Sequence, residues 1–203
     1  MRVLILLLVI AMLATASLGA VWASCSPDFG AQAIIDRLGQ IQPTICFMVD
    51  GHFYHGKSHS AQEKLTLIHQ SLTTVKQFVV CPNINETFDF DEAFTPWNDF
   101  LIDQNVIDFV SVPFNHPLYV LFSSGTTGKP KCLVHSAGGT LIQHMKELAL
   151  HCDIHAGDNL CFYTTTGWMM WNWMVSALSL GCQITLYEGS PAYPSHQHIF
   201  KLI

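Results

Sequence analysis

The sequence predicts a mixed α/β fold, with layered sheets flanked by helices, on three observations. Short runs rich in β-branched and aromatic residues alternate with segments of helical period. Half of the 203 residues are hydrophobic, ample for a packed core. No repeat or low-complexity tract interrupts the pattern, and alternation of this kind belongs to α/β proteins.

Taken in order, the first element is the hardest to assign. Residues 1–23 carry one charge, at Arg2, and run apolar without a break from Val3 to Ala14. Read alone, this is a signal peptide ending near Ala14-Thr15-Ala16, or a membrane anchor, since Val3 to Ala23 holds 21 uncharged positions. It also reads as a core helix, because a fully buried helix is apolar all round. The strand candidates that follow are PTICFMV, KQFVVC, YVLF, KCLVH, NLCFYTT and CQITLYEG. A helix is expected over Ala61 to Lys76 and another over Ala137 to Cys152, the latter with Leu141, Met145 and Leu148 on its apolar stripe and Ile142 beside it. A third is expected from Trp168 to Leu180, capped by Gly181. The Pro- and Asn-containing stretch from Pro82 to Pro117 reads as an excursion or linker. The expected division is 1–23 as the apolar helix, 24–111 as an upstream part with the acidic linker, and 112–203 as a loop-bearing part.

Charge narrows the function. Nine Lys and Arg stand against fifteen Asp and Glu, a net charge of -6, so the basic stripe that nucleic-acid binding requires is missing. Glu86, Asp89, Asp91, Glu92, Asp99, Asp103 and Asp108 fall in a segment with no Lys or Arg between Gln77 and Gly128, read as a solvated connection. Charged residues are only 12%, about half the usual share, which suggests that much of the surface is covered by something else. The seven cysteines form no C-x-x-C pair and no zinc spacing, and are read as reduced thiols. His52, His55 and His59 lie in HFYHGKSH, and His196 and His198 flank a glutamine; without a Cys or carboxylate in the first cluster these read as solvated polar loops, and no metal site is expected.

One stretch concentrates chemistry. In YVLFSSGTTGKPKCLVHSAGG an apolar run opens into Ser123, Ser124, Gly125, Thr126, Thr127, Gly128 and Lys129, then Lys131. Four hydroxyls, two glycines able to take positive φ, and two lysines in an acidic chain suit a polyphosphate. The P-loop of NTPases is excluded: two residues rather than four separate the glycines, and Pro130 follows Lys129 where a magnesium-binding Ser or Thr would stand. A flexible Gly/Ser loop joining two strands is the plainer reading of the composition alone.

SSGTTGKPK resembles the phosphate-binding signature of the AMP-forming acyl-CoA synthetases, the adenylate-forming superfamily. AMLATASLGAVWASCSPDFG, HSAGGTLIQHMKE, YTTTGWMMWNWMVSAL and LYEGSPAYP extend the resemblance over residues 11 to 203, toward the branch that activates acetoacetate. The resemblance implies part of the large N-terminal domain of the adenylate-forming fold. It implies ATP and coenzyme A as co-substrates, with Mg2+ in the full-length protein, acetoacetate as the small-molecule partner, and a cytosolic setting in which Ala11 to Gly30 is a buried helix and turn. Ser123 to Lys129 would hold the ATP phosphates, while Lys131 is either a contact or a solvent-facing strand residue. Gly167 and Trp168 would shape the acyl pocket; Trp171 suits pocket or core, and Trp173 suits core. The family's adenine, ribose and catalytic-lysine motifs do not occur before Ile203, so catalytic residues stay unassigned. The 203 residues alone are expected to be inactive, as part of a longer ligase without its C-terminal domain. The alternatives are a non-catalytic product, membrane-anchored or secreted through residues 1–23, and a ligase for acetate or propionate.

Overall fold

A computed structural model describes residues 4–84, 92–103, 106–123 and 128–201. The elements in order are α1 (Leu4–Ser17), β1 (Trp22–Ala23), α2 (Ala31–Ile41), β2 (Ile45–Val49), β3 (Gly51–Tyr54), β4 (Lys57–Ser60), α3 (Gln62–Ser71), β5 (Gln77–Cys81), β6 (Phe94–Pro96) and α4 (Trp97–Phe100). There follow β7 (Pro117–Phe122), β8 (Cys132–Ser136), α5 (Ala137–Lys146), β9 (Asn159–Cys161), α6 (Met169–Ser176) and β10 (Gln183–Thr185). A π-helical turn, Glu147–His151, extends α5, and a 3-10 turn, Ala177–Leu180, extends α6 to Gly181, whose left-handed φ of 75° caps it as expected.

Strands β2, β5 and β6 form a parallel sheet in the order β2-β5-β6. Its strands are apolar on both faces because both are covered. Val79 and Cys81 of β5 point into one core with Phe47 and Val49, while Phe78 and Val80 point into a second with Cys46, Met48, Leu65 and Ile68. The period of two along each strand thus feeds two cores from one sheet. A second sheet, in the order β1-β7-β8, pairs β1 with β7 in parallel and β7 with β8 as a hairpin.

Each expected strand is present, but three expectations change. The stretch from Pro82 to Pro117 is not wholly an excursion: β6 pairs with β5, and Trp97 is buried against Phe47, ring centroids 5.8 Å apart. Of its acidic residues, Glu86, Asp89 and Asp91 lie outside the described residues. HFYHGKSH is a β3-β4 hairpin, in which His52 and His59 are register partners with rings stacked at 5.1 Å. In α5 the buried stripe is Thr140, His144 and Leu148, whereas Leu141 and Ile142 are exposed. Leu148 faces inward as expected, while Thr140 and His144 replace Leu141 and Met145, one residue earlier, because α6 supplies His144 with a polar partner.

Helix α1 buries Val9, Ala11 and Met12 in the first core and leaves Leu6, Ile10 and Leu13 exposed. At 1.5 Å per residue its 14 residues span about 21 Å, short of the roughly 30 Å of a bilayer core. Among the described residues no helix is long and apolar enough to cross a membrane.

Candidate functional site

The hydroxyl-rich loop joins β7 to β8, and its base is closed by one pair of residues. The Ser123 N–H donates to Lys131 O at 3.0 Å, and the Lys131 N–H donates to Ser123 Oγ at 2.9 Å. Ser124, Gly125, Thr126 and Thr127 lie outside the described residues. Gly128 takes φ 129°, a backbone angle that side chains disfavour and glycine permits.

Helix α2 lies under the outgoing limb. Gln40 Nε2 donates to Pro130 O at 2.8 Å, and Lys129 Nζ stands 4.0 Å from Asp36 Oδ1. The Lys129 side chain is 71% exposed, so its ammonium is available to an anion in exchange for a weak surface pair. Lys131 is also exposed, its backbone engaged in closing the loop. A strand hairpin with a clamped base, a glycine at positive φ and an exposed, weakly paired lysine can cradle phosphate oxygens.

The second predicted motif sits at the end of β1. Thr166 Oγ1 donates to Cys25 O at 3.2 Å, and a Cβ on Gly167 would lie 3.4 Å from the Ser26 nitrogen, so the chains run close together here. Trp168, one residue ahead of α6, is 61% exposed. Trp171 is buried in the first core and joins the core half of its two readings. Trp173 packs edge-on against Phe162 and also faces a groove.

That groove, about 620 Å³, runs between β8, α5 and the start of α6. His135, Thr140 and His144 line one side, and Met169, Met170 and Trp173 the other. His144 is buried, and its Nδ1 lies 2.8 Å from Ser176 Oγ, which in turn lies 2.9 Å from Asn172 O. Burial, and then the neighbouring His135, lowers the His144 pKa; burial alone lowers that of His135. Both rings therefore stay neutral at neutral pH. His135 stacks on Tyr119 at 5.0 Å. The Tyr119 hydroxyl is sealed in without a well-formed hydrogen bond, although the Thr140 hydroxyl is near enough to oppose the rise in its pKa that burial causes. The geometry favours contact without a formed bond.

Thr140, His144 and Ser176 lie inside the quoted strings HSAGGTLIQHMKE and YTTTGWMMWNWMVSAL, but the sequence reading gave none of them a role. The spacing of four from Thr140 to His144 was a signal that they share one helix face. Among the described residues no three His, Cys, Asp or Glu side chains converge to hold a metal ion. The described part of the chain does not fit a magnesium cage of its own.

The chain matches the family model described as "AMP-binding enzyme" over residues 5–203. It is 47% identical over 202 residues to the acetoacetyl-CoA synthetase of Gallus gallus, covering 95% of this chain and 30% of that protein. It is 45% identical over 195 residues to malonamoyl-CoA synthetase vrtB of Penicillium aethiopicum, covering 91% of this chain and 27% of that one. Among solved structures, the acetoacetyl-CoA synthetase of Streptomyces lividans superposes with a TM-score of 0.92 at 42% identity, over 97% of this chain and 30% of that chain. The chain thus spans about 30% of the length of such relatives. The match covers nearly every residue, and on it the chain belongs to the AMP-binding enzyme family.

Proposed function

We propose that these residues form the phosphate-holding and acyl-binding part of an acid–thiol ligase that activates acetoacetate with ATP and passes it to coenzyme A. The observation that carries this is the clamped β7-β8 loop with Gly128 at φ 129° and Lys129 exposed, in a chain whose relatives bear the name acetoacetyl-CoA synthetase.

The reaction sets what the residues must do. The acid's carboxylate attacks the α-phosphorus of ATP and pyrophosphate leaves, forming an acyl-adenylate; the thiol then attacks the acyl carbon and AMP leaves. In the first step negative charge collects on the departing β- and γ-phosphates. Ser123 to Lys129 are proposed to receive it: Lys129 by its charge, Ser123 by its hydroxyl, and the loop by backbone N–H groups. Magnesium, arriving with the nucleotide, would neutralise part of the same charge. Gly167 and Trp168 are proposed to border the acyl group, with the adjoining groove receiving its far end.

The named substrates of the two kinds of relative, acetoacetyl and malonamoyl groups, share a carbonyl oxygen on the third carbon. That shared oxygen favours acetoacetate over acetate or propionate, neither of which has it. Cys25, Cys46, Cys81, Cys132, Cys152, Cys161 and Cys182 are all unpaired, which supports a cytosolic setting.

Exchange of labelled pyrophosphate into ATP tests the proposal. Exchange that depends on acetoacetate is expected from the protein at its native length, and little from the isolated 203 residues. A native-length protein that gives no exchange whichever carboxylic acid is supplied would point to a non-catalytic product, and one that prefers acetate or propionate would refute the assignment of substrate.

A further inference from the structure

We propose that His144 reads the third-carbon carbonyl of the acyl substrate, and that the Ser176 hydroxyl sets which hydrogen-bonding face of the imidazole meets the groove. The inference rests on the ligase reading above and deepens it.

His144 is nearly sealed from solvent, and only one of its ring nitrogens has a protein partner. Nδ1 faces Ser176 Oγ at 2.8 Å. Nε2 makes no hydrogen bond among the described residues, yet it is not sealed in like the Tyr119 hydroxyl or Asn172 Oδ1. A buried ring nitrogen with an open side, in a groove wall, is a place for a ligand atom. Burial favours the uncharged ring, so the contact is a neutral one.

Ser176 has one hydroxyl hydrogen and two acceptors within reach. If it donates to Asn172 O at 2.9 Å, Nδ1–H must donate to Ser176 Oγ, and Nε2 offers a lone pair to the groove. If it turns instead to Nδ1, the hydrogen on the ring sits on Nε2 and points into the groove as a donor. A keto oxygen can only accept, so binding it selects the second arrangement. The cost is one side-chain bond to Asn172 O within α6, of a kind that contributes little to a helix.

The rest of the groove suits the remaining atoms. Met169, Met170 and Trp173 face His144 across it and offer apolar cover to the terminal methyl. Butyrate has the same chain length and lacks the oxygen. Seating it would bury the His144 N–H unpaired, and an unmade bond of this kind discriminates more strongly than a missing methylene.

The test compares kcat/KM for acetoacetate with kcat/KM for butyrate in pyrophosphate exchange, using the native-length protein. In His144→Phe the ratio is expected to fall about tenfold or more, the loss of one buried neutral bond and its selectivity. His144→Gln, whose amide nitrogen reaches close to the place of Nε2, should recover part of the ratio. Ser176→Ala, which removes the partner of Nδ1, should lower it about threefold. Equal losses for both acids, or an unchanged ratio, would overturn the role of His144, since a structural part affects both acids alike. Should His144→Phe fail to fold, the Gln and Ala variants decide by the same ratio. Absence of acetoacetate exchange in the unaltered protein would instead refute the ligase reading itself.

Discussion

Ser123→Ala removes the smallest part of the proposed phosphate loop, and the structure indicates how much should follow. Ser123 Oγ accepts the Lys131 N–H at 2.9 Å, one of two hydrogen bonds that close the base of the loop; the other, from the Ser123 N–H to Lys131 O at 3.0 Å, survives the change. Loss of one neutral hydrogen bond costs about 1 kcal/mol, roughly fivefold in an equilibrium. Because Oγ uses a lone pair toward Lys131, its own hydrogen stays free for a phosphate oxygen. A bond to a charged acceptor adds about 1.5 kcal/mol at the low end, so the sum is about 2.5 kcal/mol, or roughly 70-fold in ATP affinity. Titration calorimetry with ATP on the native-length protein reads this directly, and Ser123→Thr, which keeps the hydroxyl, should stay within about threefold of the unaltered protein. A fivefold loss in the Ala variant would mean that Ser123 only closes the loop. Affinity within twofold of the original would refute both parts of the reasoning.

Two further outcomes test the frame around the site. Gly51→Ala would place a Cβ 2.5 Å from the His59 carbonyl oxygen across the β3-β4 hairpin, a backbone contact that only strand separation relieves. About 1–3 kcal/mol of stability should be lost in a denaturant titration, and a loss below about 0.5 kcal/mol would disprove the close pairing. The pKa values of His52, His135 and His144 are lowered, in each case first by burial, so the unfolded chain binds protons more readily than the fold. Stability from these groups is complete above the ordinary imidazole pKa of about 6.5 and is lost as pH falls through it toward the lower folded values. Thermal unfolding between pH 7.5 and 5.5 should show the decline, with a shallower slope in His144→Phe; an unchanged slope would mean that His144 is not buried neutral.

The parts of the molecule legible in its sequence are those where local chemistry and final position agree. Strands β2 and β5 are apolar without alternation because two cores cover them, and both were visible as runs. The loop between β7 and β8 was visible because glycines, hydroxyls and lysines crowd into nine positions between two strands, an arrangement that a packed core does not need. Strand β6 was hidden by its setting, since Phe94 and Trp97 stand among acidic residues and prolines whose average reads as solvated, although parallel pairing with β5 depends on those two side chains more than on the average.

Helix α5 lies where it was expected, but its inward face was misread for a more instructive reason. Leu141 and Ile142 carry the stronger hydrophobic signal, and by transfer energy alone they would turn inward before Thr140 and His144. The helix instead buries the polar pair, because Ser176 lies across the interface and removes the penalty of sealing an imidazole away from water. That partner is 32 residues distant in the chain, beyond any window in which periodicity can be judged. A buried polar stripe beside exposed leucine and isoleucine runs against the order that hydrophobicity alone would set. Its position along the groove that Met169, Met170 and Trp173 also line is the physical reason for attributing it to recognition of a ligand as well as to packing.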